Sequence, residues 1–125
     1  MNKYLLTGLG GFFGAIARLW VDSFVMARMG TRFPYGTFVI NISGCFLIGV
    51  MLTILNQRLN INPAWRYLLP IGFVGAYTTF SSFEFETLSG FQRGGWPMPL
   101  LYVGLSVCLG FLSVWIGSMV GKLMV

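Results

Sequence analysis

One asparagine amide, a cluster of hydroxyls and two phenylalanine rings are the groups in this sequence with chemistry to offer. Thr37, Asn41, Gly44 and Ile48 fall at i, i+4, i+7 and i+11, one face of a helix, and Asn41 stands in the middle of the apolar run 38–55. An amide surrounded by hydrocarbon must find hydrogen-bond partners, because lipid supplies none. It either ties two helices together, a contact worth about 0.6–2 kcal/mol, or donates into a polar pore. The spacing leaves both readings open.

A second constellation follows. The string Gly72-Phe-Val-Gly75-Ala-Tyr-Thr78-Thr79-Phe80-Ser81-Ser82-Phe83 brings two glycines, four Ser/Thr hydroxyls and several aromatic rings into one apolar segment. Glycine and β-branched threonine weaken a helix, and an interruption would free backbone carbonyls. Non-helical backbone at membrane depth is tolerated only when buried in protein or lining a watery cavity, and interrupted helices are a recurrent way to build ion sites. The competing reading is an intact helix whose hydroxyls bond back to i−4 carbonyls; the density of small and polar residues favours the break. Downstream, Tyr102, Ser106, Ser113 and Gly117 form a stripe at i, i+4, i+11 and i+15. It is either a polar track or a packing face against the broken segment.

Charges inside apolar spans are functional candidates by default. Arg18 and Asp22 are four apart and able to pair, whereas Glu84 and Glu86 are two apart and point to different faces. Enzymatic catalysis has little to work with. The chain has no histidine and two cysteines, Cys45 and Cys108, both within apolar spans. Neither a convergent metal-ligand cluster nor a nucleophile with an activating base can be assembled from these. A transport pathway of amide, hydroxyl and ring groups remains. Hydroxyls and amides both donate and accept, so they do not choose the sign of an ion. Ring edges are positive, and Phe80, Phe83 and Arg18 therefore favour an anion.

The elements that must position these groups follow from composition. Of 125 residues, 56% are hydrophobic and 9% charged, against about 25% charged in soluble domains. That excludes a soluble globular domain and a disordered chain alike. The eight Lys and Arg are scattered, unlike the clustered basic face of a nucleic-acid binder. A membrane span takes about 20 apolar residues, so the length holds four spans in one domain, 1–125. Polar breaks rich in Gly and Pro place them near 4–27, 35–56, 65–91 and 98–122, with both termini on one side. A secretory signal ending at Ala15-Ile-Ala17 is the competing reading of the first span; it is set aside because the apolar stretch resumes after Arg18. Gly10/Gly14 and Gly117/Gly121 are small-residue pairs for close helix packing, and Trp20, Trp65 and Trp96 sit near span ends. Lys3, Arg58, Arg66 and Lys122 lie on the side of the termini, opposed by Arg28, Arg32 and Arg93. So little bias under the positive-inside rule suggests insertion in both directions, and hence pairing with an inverted copy; the competing view is that seven charges are too few to decide.

Three strings together carry a family resemblance: Gly11-Phe-Phe-Gly14-Ala-Ile-Ala-Arg18, Gly36-Thr-Phe-Val-Ile-Asn41-Ile-Ser-Gly44 and Gly75-Ala-Tyr-Thr-Thr-Phe-Ser-Ser-Phe-Glu84. In order and over the whole length, the chain resembles the small bacterial fluoride channels, the Fluc (CrcB) family. The resemblance implies an all-α integral membrane protein with four transmembrane helices per chain, helix 3 broken at mid-membrane, and an antiparallel, dual-topology homodimer with two pores. It implies passive export of fluoride across the bacterial inner membrane, protecting the cytoplasm. By motif match, Asn41 is the pore amide, Phe80 and Phe83 the rings whose edges meet fluoride, Tyr102 and Ser106 the polar positions of helix 4, and Ser81 a further pore hydroxyl. Arg18 and Glu86 match the vestibule charges. A structural sodium ion at the dimer interface falls to the backbone carbonyls of Gly75 and Thr78 of both copies. The strings depart from the family pattern at Ala76, where a second glycine is common, at Ser82, where threonine is, and at Gly110, where a helix 4 hydroxyl occurs. Two rival functions are a four-helix, proton-coupled multidrug exporter, which needs a membrane-embedded Glu that helix 1 lacks, and a non-transporting scaffold, which leaves Asn41 and the helix 3 cluster without a role.

Overall fold

The computed structural model describes residues 2–58 and 60–125, and every regular element among the described residues is helical. Helix α1 spans Lys3–Met29; Asn2 caps its start by accepting from the Tyr4 N–H at 3.0 Å, and Gly30 ends it at φ 79°, a left-handed conformation that glycine adopts without steric cost. Helix α2 spans Tyr35–Gln57. The stretch 64–92 is a series: α3 (Ala64–Arg66), a π-helical stretch (Tyr67–Val74), α4 (Gly75–Tyr77) and α5 (Phe80–Gln92). Helix α6 spans Pro97–Leu123.

Helices α1, α2 and α6 are long and apolar enough to cross a membrane; 27 residues at 1.5 Å each reach about 40 Å, against a hydrocarbon core of ~30 Å. Between α4 and α5 the backbone is extended at Thr78 (ψ 158°) and Thr79 (φ −148°, ψ 115°). Threonine's β-branch suits such backbone, and its hydroxyl then starts the next helix. Thr79 Oγ1 accepts from the Ser82 N–H at 3.3 Å as the cap of α5.

Two packed pairs hold the fold: α2 lies along α6, and α1 along the π-helical stretch. Gly10 and Gly14 make the second pair possible, since a Cβ at either would collide with the carbonyl oxygen of Leu68 or Phe73. The buried apolar residues among those described are few: Leu6, Phe33, Ile40, Val74, Tyr77, Phe83 and Tyr102. Phe33, in the α1–α2 connection, meets the Tyr102 ring edge-on at 5.2 Å, and Phe83 packs on the same tyrosine at 5.0 Å. Meanwhile Phe12, Trp20, Phe111 and Trp115 stand exposed along α1 and α6. Apolar surface on this scale requires an apolar surround, and the chain is a multi-pass integral membrane protein.

Candidate functional site

The site is built around the two extended threonines. Asn41, on α2, pairs with the main chain of Thr79 on both sides of its amide: Nδ2 donates to the Thr79 carbonyl at 3.0 Å, and Oδ1 accepts from the Thr79 N–H at 2.9 Å. One side chain thus replaces the helical partners that Thr79 lacks, which is how an interrupted backbone survives away from water. Gly44, one turn further on α2, leaves room for the Thr78 methyl, against which any Cβ would collide.

The break also strips carbonyls of their helical donors. In an unbroken helix the Thr79 N–H would go to the Gly75 carbonyl and the Ser82 N–H to that of Thr78. Here Asn41 Oδ1 takes the first and Thr79 Oγ1 the second. Gly75 and Thr78, three apart, are two of the four residues 75–78 whose carbonyls lose their helical donors at the break. Carbonyl oxygens are hard ligands that suit a hard cation.

Gly75 and Thr78 line a cavity of about 350 Å³ together with Asn41, Phe80, Phe83 and Ser106. The Ser106 hydroxyl is buried there with no hydrogen-bond partner among the described residues, an arrangement that is costly unless something else satisfies it. Asn41 Nδ2 carries two N–H groups and Thr79 uses one. Phe83 is 6% exposed and Phe80 74%, with their ring centroids 5.8 Å apart; the outer ring is uncovered by its own chain.

Two further cavities lie beyond it, each sharing lining residues with the one before. Thr79 also lines a space of about 380 Å³ holding Arg18, Asp22, Thr37 and Glu86. Asp22, Thr37 and Glu86 in turn border a mouth of about 590 Å³ that contains Arg32, Arg93 and Tyr102. Glu86 is held between them: Thr37 Oγ1 donates to one carboxylate oxygen at 2.7 Å, and the Tyr102 hydroxyl to the other at 2.8 Å. Helices α2 and α6 thus orient a charge carried by α5.

Of the residues singled out from sequence, Asn41, Phe80, Phe83, Ser106, Gly75 and Thr78 meet at the first cavity, and Arg18 and Glu86 at the second. Tyr102 is at the mouth, its hydroxyl committed to Glu86. Ser81 stands exposed on α5, outside these cavities, 3.4 Å from Thr79 Oγ1. Glu84 faces outward. The stripe on α6 divides: Ser113 donates to the Ile42 carbonyl at 2.9 Å, and Gly117 packs against the Phe46 backbone, so its lower half serves packing against α2 rather than the broken segment. Thr79 and Thr37 are site residues to which the sequence alone assigns no role. Thr37 shares the Asn41 face one turn earlier, which the spacing does signal; the part Thr79 plays depends on backbone conformation.

The family model described as "CrcB-like protein, Camphor Resistance (CrcB)" matches residues 5–118. The chain is 54% identical over 120 residues to a protein of Acidobacterium capsulatum named fluoride-specific ion channel FluC, covering 96% of each. A protein of the same name from Solibacter usitatus is 48% identical over 120 residues, 96% of this chain and 98% of the relative. One from Nitratidesulfovibrio vulgaris is 37% identical over 123 residues, 98% and 99% of the two.

Proposed function

The chain belongs to the CrcB family, and from that premise we propose that it is a fluoride-selective channel, not an enzyme, through which fluoride leaves the cell passively so that cytoplasmic fluoride stays low. One observation carries the reading: Asn41, Ser106 and the two rings converge on a single cavity in a chain 54% identical to a protein named as a fluoride-specific channel.

The broken stretch 64–92 serves as a fourth crossing of the bacterial inner membrane, with its interruption at mid-membrane. Two copies inserted in opposite senses pair through their uncovered faces and enclose two pores. The 74% exposed Phe80 ring supports this arrangement, because a pore wall open on one side conducts nothing selectively, and the near balance of basic residues between the two ends supports it too. Ser81, beside Phe80 on the uncovered face, joins the pore wall through closure by the second copy.

Conduction requires that the wall replace the ion's water shell closely enough for entry and weakly enough for exit. The free Asn41 N–H and the Ser106 hydroxyl supply two donors, and the positive edges of Phe80 and Phe83 supply the rest without trapping the ion. Arg18 raises the anion's local concentration in the adjoining space, and Glu86, fixed by Thr37 and Tyr102, sets the charge balance at the exit. The Gly75 and Thr78 carbonyls of both copies would hold a structural sodium ion at the dimer interface, and its positive charge would offset the clustered carbonyl dipoles. Efflux from liposomes containing the purified chain tests the function: rapid fluoride release with little chloride release is expected, and equal release of both halides, or of neither, would refute it.

A further inference from the structure

Helix α2 grips the interrupted stretch at a second point that the conduction pathway does not use. Tyr77, the last residue of α4, is 6% exposed, and its hydroxyl lies 2.9 Å from Ser43 Oγ. Ser43 Oγ is also 2.7 Å from the Val39 carbonyl and 3.1 Å from that of Ile40. A serine hydroxyl has one proton, and the nearby carbonyls of its own helix can only accept, so one of them takes it. The phenol is therefore the donor and Ser43 the acceptor. The Tyr77 ring is further held by stacking on Phe73, with centroids 6.0 Å apart.

The position of Tyr77 on its turn gives this contact a purpose. Gly75 and Thr78 line the cavity. Tyr77 is two residues on from Gly75, about 200° around the helix axis, and so fixes the turn from behind. Asn41 holds the residue after Thr78, and Ser43 holds the residue before it. We propose that the Tyr77–Ser43 hydrogen bond is a positioning contact that sets the Gly75 and Thr78 carbonyls at the spacing a bound cation needs. The proposal rests on the cation site described under the proposed function.

The donor assignment makes the test asymmetric. Tyr77→Phe leaves Ser43 bonded to its own helix, whereas Ser43→Ala leaves a buried phenol with no acceptor, the costlier change. The readout is the sodium concentration at which thermal stabilisation of the purified protein is half complete, with N-methylglucamine as the replacing cation, alongside the fluoride-to-chloride efflux ratio. Tyr77→Phe should raise that concentration about fivefold, the factor expected from one net hydrogen bond. Ser43→Ala should raise it more, the double variant should return to the Tyr77→Phe value, and Ser43→Thr should match the parent, with the halide ratio unchanged throughout. Sodium midpoints equal to the parent's in both single variants would overturn the positioning role while leaving the cation site standing. A parent protein indifferent to sodium would overturn the site and the proposal together, and a halide ratio that collapses with the sodium shift would overturn the proposal by marking general damage.

Discussion

Ser106 and Ser113 sit seven residues apart on one face of α6, and the two ends of that face have opposite fates. At Ser113 the neighbouring helix is intact, the hydroxyl donates to the Ile42 carbonyl at 2.9 Å, and Thr53 and Ser118 bond each other nearby at 2.9 Å. No buried side-chain oxygen among the described residues is left without a partner there. At Ser106 the neighbour is the interrupted backbone, and the hydroxyl lines a cavity with no partner among the described residues. The same residue type, on the same helix, is glue in one place and a free donor in the other. What differs is whether the facing segment spends its own backbone groups on itself.

The sharpest way to break this contrast is at Asn41, which joins both roles. Asn41→Asp removes the donor to the Thr79 carbonyl and brings negative charge to the cavity; a charge at membrane depth costs about 3 kcal/mol, so fluoride efflux should fall about a hundredfold, measured by electrode on liposomes. Replacing Phe80 by isoleucine keeps the bulk and removes the ring edge, and efflux should drop about tenfold while gel filtration still finds the same oligomer. The serines sharpen the comparison directly. Ser106→Ala should slow efflux about fivefold with no loss of thermal stability, because no hydrogen bond is broken. Ser113→Ala should leave efflux unchanged and cost about 0.6 kcal/mol of stability. A change smaller than at Ser106 is expected at the mouth, where Tyr102→Phe frees one oxygen of Glu86 and should alter efflux about twofold to threefold.

The sequence reveals the long apolar helices because the apolar runs are continuous and proline or glycine stands at their ends. An expected 35–56 meets an observed Tyr35–Gln57, and 98–122 meets Pro97–Leu123. The segment 67–74 is different. Apart from the Tyr67 hydroxyl every side chain in YLLPIGFV is apolar, so no face stands out; Pro70 marks an irregularity, but not that it takes the form of wide π turns. Asn41 could be read as important from its depth alone, but its partner is a backbone amide and carbonyl whose exposure depends on two extended residues. For the same reason Ser106 and Ser113 look equivalent in the sequence. Side-chain spacing gives the face of a helix, and the conformation of the opposite strand of chain decides what that face does.

The central claim is that the space beside Thr78 and Thr79 is the path of the ion. It is tested most directly by placing a thiol on its wall, as Ser106→Cys in a chain with Cys45→Ala and Cys108→Ala, and treating the protein in liposomes with a small methanethiosulfonate reagent. The account predicts that modification abolishes fluoride efflux and that high fluoride slows the modification. Complete modification with undiminished efflux would show that fluoride travels elsewhere.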